Sequence, residues 1–181
     1  MKQTRRATRQ PFLLSRRAVL QATTAVLATA HSRVFARSES RVVKTLQGRL
    51  SGRIVDGVAT FKGIPYGAST AGANRFLPPQ PPAAWRGVRE ANTHGSPSPQ
   101  VLRQRGIYPY PDWIDDVPMG EDCLCLNVWA PAASRAGALP VMVWIHGGGY
   151  ARGSGGLPIY DGHNLAHRGD VVVVTVNHRL N

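Results

Sequence analysis

The stretch PVMVWIHGGG, residues 140–149, decides how this chain folds. Its apolar run at 141–145 is too short for an average helix and rich in β-forming residues, so it predicts a strand buried on both faces. After His146 come three consecutive glycines, 147–149, and a backbone without Cβ atoms can turn sharply and bring its N–H groups close to a reacting atom. The stretch therefore fits either an oxyanion hole or a plain glycine-rich connecting loop.

Length and composition indicate one ordinary globular domain, because the chain has 181 residues of which 43% are apolar. Its formal net charge of +12 is unevenly distributed. Residues 1–36 contain no acidic residue and seven basic ones: Lys2, Arg5, Arg6, Arg9, Arg16, Arg17 and Arg33. The other arginines are scattered and no nucleic-acid-binding motif is present, so we expect no nucleic-acid partner.

The basic N-terminus resembles a twin-arginine export signal. Arg16 and Arg17 lie in the motif SRRAVLQ, residues 15–21, and a weakly apolar run covers 18–30. That run is too short to span a bilayer but suits the apolar region of a signal peptide. The alternative is an amphipathic or disordered tail.

Two small-residue sites compete for signal cleavage, one after Ala30 and one after Ala36. We favour Ala36, because it leaves a polar stretch between the apolar run and the cut. The expected organisation is an export signal at 1–36 and one catalytic domain portion at 37–181. The protein would then be periplasmic or extracellular and would contact the membrane only during export.

Short β-prone runs begin the domain, at 42–46, 48–54 and 58–61, and the Asp56-Gly57 pair between the last two is a hairpin turn signal. They predict a small antiparallel sheet. The following stretch, 63–120, holds most of the chain's 14 prolines and is expected to be largely irregular.

Two further strands are predicted downstream. Residues 124–129 alternate, with apolar Leu124, Leu126 and Val128 on one face, and residues 171–176 form a β-branched run of the buried type.

Five motifs then occur in one order along the chain. They are FKGIPY at 61–66, RF at 75–76, EDCLCLNVW at 121–129, HGGG at 146–149 and VNHRL at 176–180. Over residues 42–181 they resemble the N-terminal part of a type-B carboxylesterase, a family that includes bacterial carboxylesterases and cholinesterases. The block at 121–129 is the most specific of the five.

This resemblance implies an α/β-hydrolase fold, of which the chain would hold the small N-terminal sheet and the first strands of the central mixed sheet. It implies hydrolysis of a small-molecule carboxylic ester through an acyl-enzyme, by a triad of Ser, Glu or Asp, and His, with no cofactor and no metal. Gly148 and Gly149 match the glycines of the oxyanion hole, and Gly147 matches the hinge before them.

No Gly-x-Ser-x-Gly pentapeptide, the usual site of the nucleophile, occurs in the chain. The nearest sequence is at 67–71, and we interpret Ser69 as a loop serine because no buried strand precedes it. Family order places all three triad residues beyond Asn181. We therefore expect the N-terminal third or less of an esterase, inactive by itself. The alternative is an exported, non-catalytic binding module related to the esterases.

A dinucleotide-binding oxidoreductase is a weaker alternative, suggested by a buried strand followed by Gly147, Gly149 and Gly153. That fingerprint must open a helix. Residues 149–158 are too rich in glycine and proline to do so.

The resemblance also implies specific contacts. In the family the cysteine of the EDCL motif often has a cysteine partner, but Ser98 stands at the matching position here, and Cys125 lies about 7 Å from Cys123 along a strand, too far for a disulfide. We expect two free thiols. Arg75 and Glu121 are expected to form an ion pair.

Histidines 163 and 167 are spaced i, i+4 in a predicted short helix, 162–168, and that spacing could ligate a metal. No acidic third ligand is placed nearby, so no metal site is expected. His146 is expected to hold the glycine loop by hydrogen bonding.

Overall fold

A computed structural model of the chain describes residues 39–101, 118–133 and 138–180. These residues form seven strands, one α-helix and two single turns of 3-10 helix. The strands are β1 (Glu39–Lys44), β2 (Arg49–Val55), β3 (Val58–Pro65), β4 (Val88–Glu90), β5 (Cys125–Pro131), β6 (Val141–Ile145) and β7 (Val172–Val176). The helix α1 is His163–Gly169, and the 3-10 turns are Gly72–Asn74 and Pro158–Tyr160.

All seven strands belong to one mixed sheet, in the order β1-β2-β3-β5-β7-β6, with β4 beside β2. The β6–β7 and β2–β4 pairs are parallel and the other pairs are antiparallel. The three predicted N-terminal strands are antiparallel, but they do not make a separate sheet. Strand β3 pairs along its length with β5, with a register shift between Phe61 and Ile64, and so joins them to the central strands.

The hairpin between β2 and β3 confirms the turn predicted at Asp56 and Gly57. Their φ angles are 47° and 75°, as a type I′ turn requires. The end of β1 differs from the prediction, because the strand stops at Lys44 instead of continuing to residue 46. Thr45 begins a turn in which its N–H donates to Gly48 O at 2.8 Å, and this turn removes the next residues from the sheet.

Two clusters of buried side chains lie on the sheet. One consists of Leu50, Ala59, Phe61 and Ala91 on the N-terminal strands. The other brings together Val58, Trp129, Ala166 and Val173, so that α1 packs over β3, β5 and β7. The most deeply buried face of β5 is therefore the one that carries Cys125, Asn127 and Trp129, opposite the face with Leu126 and Val128.

Strand β6 forms where the sequence predicts it, but the prediction that both of its faces are buried is wrong for the described part of the chain. Val141, Val143 and Ile145 are 60%, 57% and 67% exposed. The strand lies at the edge of the sheet with β7 as its one neighbouring strand. On its other face the ring of Tyr160 packs against Trp144, which is still 44% exposed.

The proline-rich stretch is mostly irregular in its described part, 63–101 and 118–120, as predicted. Backbone hydrogen bonds hold it in place: Lys62 N–H of β3 donates to Ala91 O at 2.8 Å, and Thr70 N–H donates to Glu121 O, in the segment before β5, at 2.9 Å. The predicted export signal, 1–36, lies outside the described residues. Among those that are described, no helix is long and apolar enough to cross a membrane.

Candidate active site

The glycine loop leaves the carboxyl end of β6, the position at which α/β sheets usually present ligand sites. Gly148 has a φ of 130° and Gly149 a φ of 62°, in the region that favours glycine. A Cβ atom added to Gly148 would overlap Arg152 O, so a side chain there would force the loop to move. The turn is closed by a hydrogen bond from Ala151 N–H to Gly148 O at 3.2 Å.

The main-chain donors of the three glycines are open. Gly147, Gly148 and Gly149 are exposed and lie outside any helix. None of their N–H groups donates a hydrogen bond to another described residue. A Cβ atom added to Gly147 or Gly149 would meet nothing within 4 Å, so there is free space beside both. Unpaired N–H groups beside free space can receive an anionic oxygen.

His146 holds the start of this loop, as its position in the motif predicts. Its ring is buried, and its Nδ1–H donates to Gly147 O at 2.9 Å. Burial lowers the pKa of His146, and the neighbouring His178 lowers it further, against the effect of the bond to Gly147. The ring therefore stays neutral at pH 7 and serves the loop as a hydrogen-bond donor.

His178 stacks on His146, with ring centroids 4.4 Å apart and planes 10° from parallel. Its Nδ1–H donates to Arg179 O at 2.9 Å, whereas its buried Nε2 has no partner among the described residues. The sequence does not show this contact, because residues 146 and 178 follow two different strands, β6 and β7, and are far apart in the chain.

A buried polar network fixes the later part of the loop, and sequence reasoning did not find it. Asn177 Oδ1 accepts hydrogen bonds from Ser154 Oγ at 3.0 Å and from Gly155 N–H at 2.7 Å. Asn127 Nδ2 donates to Thr175 Oγ1 at 2.9 Å. A sequence signal did exist, since Asn127 interrupts an otherwise apolar strand pattern and Asn177 directly follows another one, and a buried amide needs partners.

The two cysteines are free, as predicted, and both are buried. Ser98 is close enough to Cys123 to lower the pKa of its thiol against the effect of burial, so it lies at the position that the resemblance assigns to a partner cysteine. Burial raises the pKa of Cys123 and raises that of Cys125 to about 11. Both side chains are therefore neutral thiols at pH 7 and poor nucleophiles.

The predicted ion pair is present, with Arg75 Nη2 3.3 Å from Glu121 Oε1. Thr70 Oγ1 also donates to Glu121 Oε2 at 2.8 Å. The side chain of Arg75 is 61% exposed and that of Glu121 28%, so solvent screens the attraction between the two charges. The pair fastens the irregular stretch to the start of β5, but its contribution to stability is modest.

The remaining candidates have structural contacts. Ser69 is in a loop, as interpreted, and its Oγ accepts a bond from Ala71 N–H at 3.3 Å. His163 and His167 stack on α1 with ring centroids 6.1 Å apart, and His167 Nδ1–H donates to Asp56 O at 2.9 Å, at the hairpin turn. Within the described residues, no group of three or more His, Cys, Asp or Glu could hold a metal ion.

Comparison with known proteins adds an independent finding. Residues 39–181 match the carboxylesterase family. The chain is 41% identical to the phenmedipham hydrolase of Pseudarthrobacter oxydans over 139 residues, and 42% identical to the para-nitrobenzyl esterase of Bacillus subtilis over 142 residues. Each alignment covers 77% of this chain and 28% of the relative, so the chain spans little more than a quarter of these relatives.

Solved structures of the same class match the fold. A PNB esterase structure superimposes with a TM-score of 0.67 at 41% identity, covering 77% of this chain and 27% of the other. A Geobacillus stearothermophilus carboxylesterase superimposes with a TM-score of 0.64 at 47% identity, with the same coverage.

Proposed function

The chain belongs to the carboxylesterase family, and from that premise we propose that it is the N-terminal part of a serine carboxylic ester hydrolase. Its mixed sheet is part of an α/β-hydrolase fold. The observation that carries the proposal is the open loop after β6, in which the N–H groups of the three glycines at 147–149 have no partner among the described residues.

In the proposed reaction a serine hydroxyl attacks the ester carbonyl and a histidine takes its proton. The carbonyl oxygen becomes an oxyanion, which accepts hydrogen bonds from the N–H groups of Gly148 and Gly149, while Gly147 acts as the hinge. Collapse of this intermediate expels the alcohol and leaves an acyl-enzyme, which water then hydrolyses. Loss of one such donor lowers kcat by roughly 100-fold to 1,000-fold in related chemistry.

The 181 residues supply the donors but no nucleophile motif, so we propose that this chain alone does not turn over esters. His146 is already bonded to Gly147, and both thiols are buried and neutral. The substrate class is a small-molecule ester. The names of the relatives, which include a para-nitrobenzyl esterase, make p-nitrobenzyl esters suitable first probes. No step requires a cofactor or a metal ion.

A chimera tests the proposal directly. Residues 39–181 replace the matching segment of the Bacillus subtilis para-nitrobenzyl esterase, which retains its own nucleophile. We expect saturable hydrolysis of p-nitrobenzyl acetate by the chimera and none by the 181-residue chain. In the chimera, Gly148→Ala forces the loop to move, because φ is 130° and the Cβ atom would overlap Arg152 O. We expect kcat to fall about 100-fold with little change in KM.

The matched control is Gly87→Ala. Gly87 also has a positive φ, 76°, but has nothing within 4 Å of an added Cβ atom and lies far from the loop in sequence. Its substitution should leave kcat unchanged. A folded but inactive chimera would contradict the proposal and favour the non-catalytic binding module, and equal losses in the two alanine variants would remove the special role of Gly148.

We further propose that residues 1–36 direct export through a twin-arginine route, on the basis of Arg16 and Arg17 before a weakly apolar run. Fused to a fluorescent reporter, this segment should deliver the reporter to the periplasm of a bacterium that has the twin-arginine system. Replacing both arginines by lysine should keep the reporter in the cytoplasm. Unchanged export of the lysine variant would contradict the twin-arginine assignment.

A further inference from the structure

The side chain of Gln100 makes a two-bond bridge to the main chain of Gly153. Gly153 N–H donates to Gln100 Oε1 at 2.8 Å, and Gln100 Nε2 donates to Gly153 O at 3.0 Å. The same Nε2 donates to Ser98 O at 3.0 Å. An amide side chain is suited to this bridge, because it offers a donor and an acceptor on one planar group.

Gly153 in turn lies against the residues that begin the glycine loop. Its φ is 122°, and an added Cβ atom would overlap the ring of His146 and approach Gly147 O to 2.7 Å. His146 donates to that same carbonyl oxygen. The backbone at Gly153 is therefore in close contact with both the residue that holds the loop and the first glycine of the loop.

Two other sets of hydrogen bonds lie near Gly153, one to the residues after it in the chain and one among the residues before it. Asn177 binds Ser154 and Gly155, which follow Gly153. On the side nearer to Gly149, the loop bends back through the bond from Ala151 N–H to Gly148 O. Gln100 thus holds the loop at the point where its buried part meets its open part.

We propose that Gln100 is a positioning residue for the oxyanion loop, acting through Gly153 on His146 and Gly147. The inference rests on the proposed function, because N–H groups that bind an oxyanion must point in a fixed direction. Stabilisation of an oxyanion depends on donors that are already aimed before the charge develops. A side chain that fixes the backbone behind those donors contributes to catalysis without touching the substrate.

Amide NMR of the 181-residue chain, labelled with ¹⁵N at its 19 glycines, tests the inference. In Gln100→Ala we expect the peaks of Gly147, Gly148 and Gly149 to shift and broaden. The peaks of Gly57 and Gly87, which lie in distant turns, should stay in place. Gln100→Glu keeps the acceptor for Gly153 N–H and loses the donor, so it should give smaller changes at the same peaks.

Gln80→Ala is the matched control, since Gln80 is exposed and its side chain bonds Pro78 O nearby in the chain. It should leave all three loop peaks unchanged. Unmoved loop peaks in Gln100→Ala overturn the inference. A collapse of all glycine peaks together overturns it as well, because Gln100 would then serve overall stability.

A titration with methylphosphonate separates this inference from the proposed function. In the unmodified chain the anion should shift the peaks of Gly148 and Gly149, and Gln100→Ala should bind it about tenfold more weakly, the effect of losing one to two hydrogen bonds. If methylphosphonate moves no loop peak in any variant, the oxyanion role loses its support. The effect of Gln100 on the loop is still read from the spectra without the anion.

Discussion

The two parts of the segment after β6 differ in what their backbone amides bind. Residues 147–149 are exposed, and their N–H groups have no partner among the described residues. Residues 153–156 are held by Gln100, Asn177 and Ser154, and most of them are buried. An open donor site therefore needs a rigid neighbour, because donors that are free to bind an anion cannot also be held by their own hydrogen bonds.

Removing the main anchor of the held part should have the largest effect on stability. Asn177→Ala deletes the acceptor of Ser154 Oγ and Gly155 N–H and leaves buried polar groups unpaired. We expect a loss of about 3 kcal/mol in the free energy of unfolding, measured by urea denaturation. Asn74→Ala is the control, since Asn74 is exposed and its side chain donates only to Ser69 O among described residues. Equal losses in the free energy of unfolding for the two substitutions would contradict a stabilising role for the hydrogen bonds of Asn177.

A disulfide between residues 98 and 123 should raise the free energy of unfolding. Ser98 is close enough to Cys123 to affect the pKa of its thiol, so Ser98→Cys places two thiols near each other. Under oxidising conditions we expect a disulfide and a gain of about 2 kcal/mol in the free energy of unfolding, lost again with reductant. Mass spectrometry that still finds three free thiols after oxidation, those of residues 98, 123 and 125, would contradict the predicted contact. Ser69→Cys, on an exposed loop, is the control.

Low pH should destabilise the fold through His146, whose ring contacts both Gly147 and the backbone at Gly153. The folded-state pKa of His146 is lowered from 6.5, mainly by burial, so the fold favours the neutral ring. Its stabilising contribution is complete above pH 6.5 and is lost as the pH falls through the lower folded-state pKa. The urea midpoint should decrease between pH 7.5 and 5.5, and His146→Gln should make this decrease smaller. The pKa of His94 is also lowered by burial, so part of the dependence should remain.

In the pH experiment, Gln80→Ala is a control that changes an exposed side chain without an ionisable group and should leave the dependence unchanged. A pH dependence of His146→Gln equal to that of the unmodified chain would contradict the prediction.

The smallest effect is expected at the ion pair, which lies beside the held part. Glu121→Gln removes the charge that faces Arg75, but the pair is partly exposed. We expect a loss of no more than about 1 kcal/mol in the free energy of unfolding, less at high salt. Glu90→Gln, at an exposed residue of β4, is the control. A loss of several kcal/mol in the free energy of unfolding would contradict this prediction.

Several features of the fold and the site follow from local sequence. Asp56-Gly57 adopts its turn because few residues other than Gly, Asn and Asp accept a positive φ. The helix at His163–Gly169 forms within two residues of its predicted span. The free thiols and the Arg75–Glu121 pair were predicted from the family resemblance, and both are present.

Other features depend on contacts between distant residues and were missed. Strand β3 joins the central sheet because it is long enough to pair with β5, and its hydrophobic pattern does not specify that partner. The sequence of β6 is typical of a buried strand, but burial depends on what covers it. The contacts of Gln100 with Gly153 and of His178 with His146 join residues that are far apart in the chain.

By itself, the sequence determined the strand at 141–145, the glycine turn after it and the membership in an esterase family, because β propensity, backbone freedom and motif order are properties of neighbouring residues. Only the tertiary structure decided that the N–H groups of the three glycines stay open while the segment from Gly153 onward is held by hydrogen bonds to other parts of the chain. That difference comes from side chains on other strands and loops, and folding alone brings them to the loop.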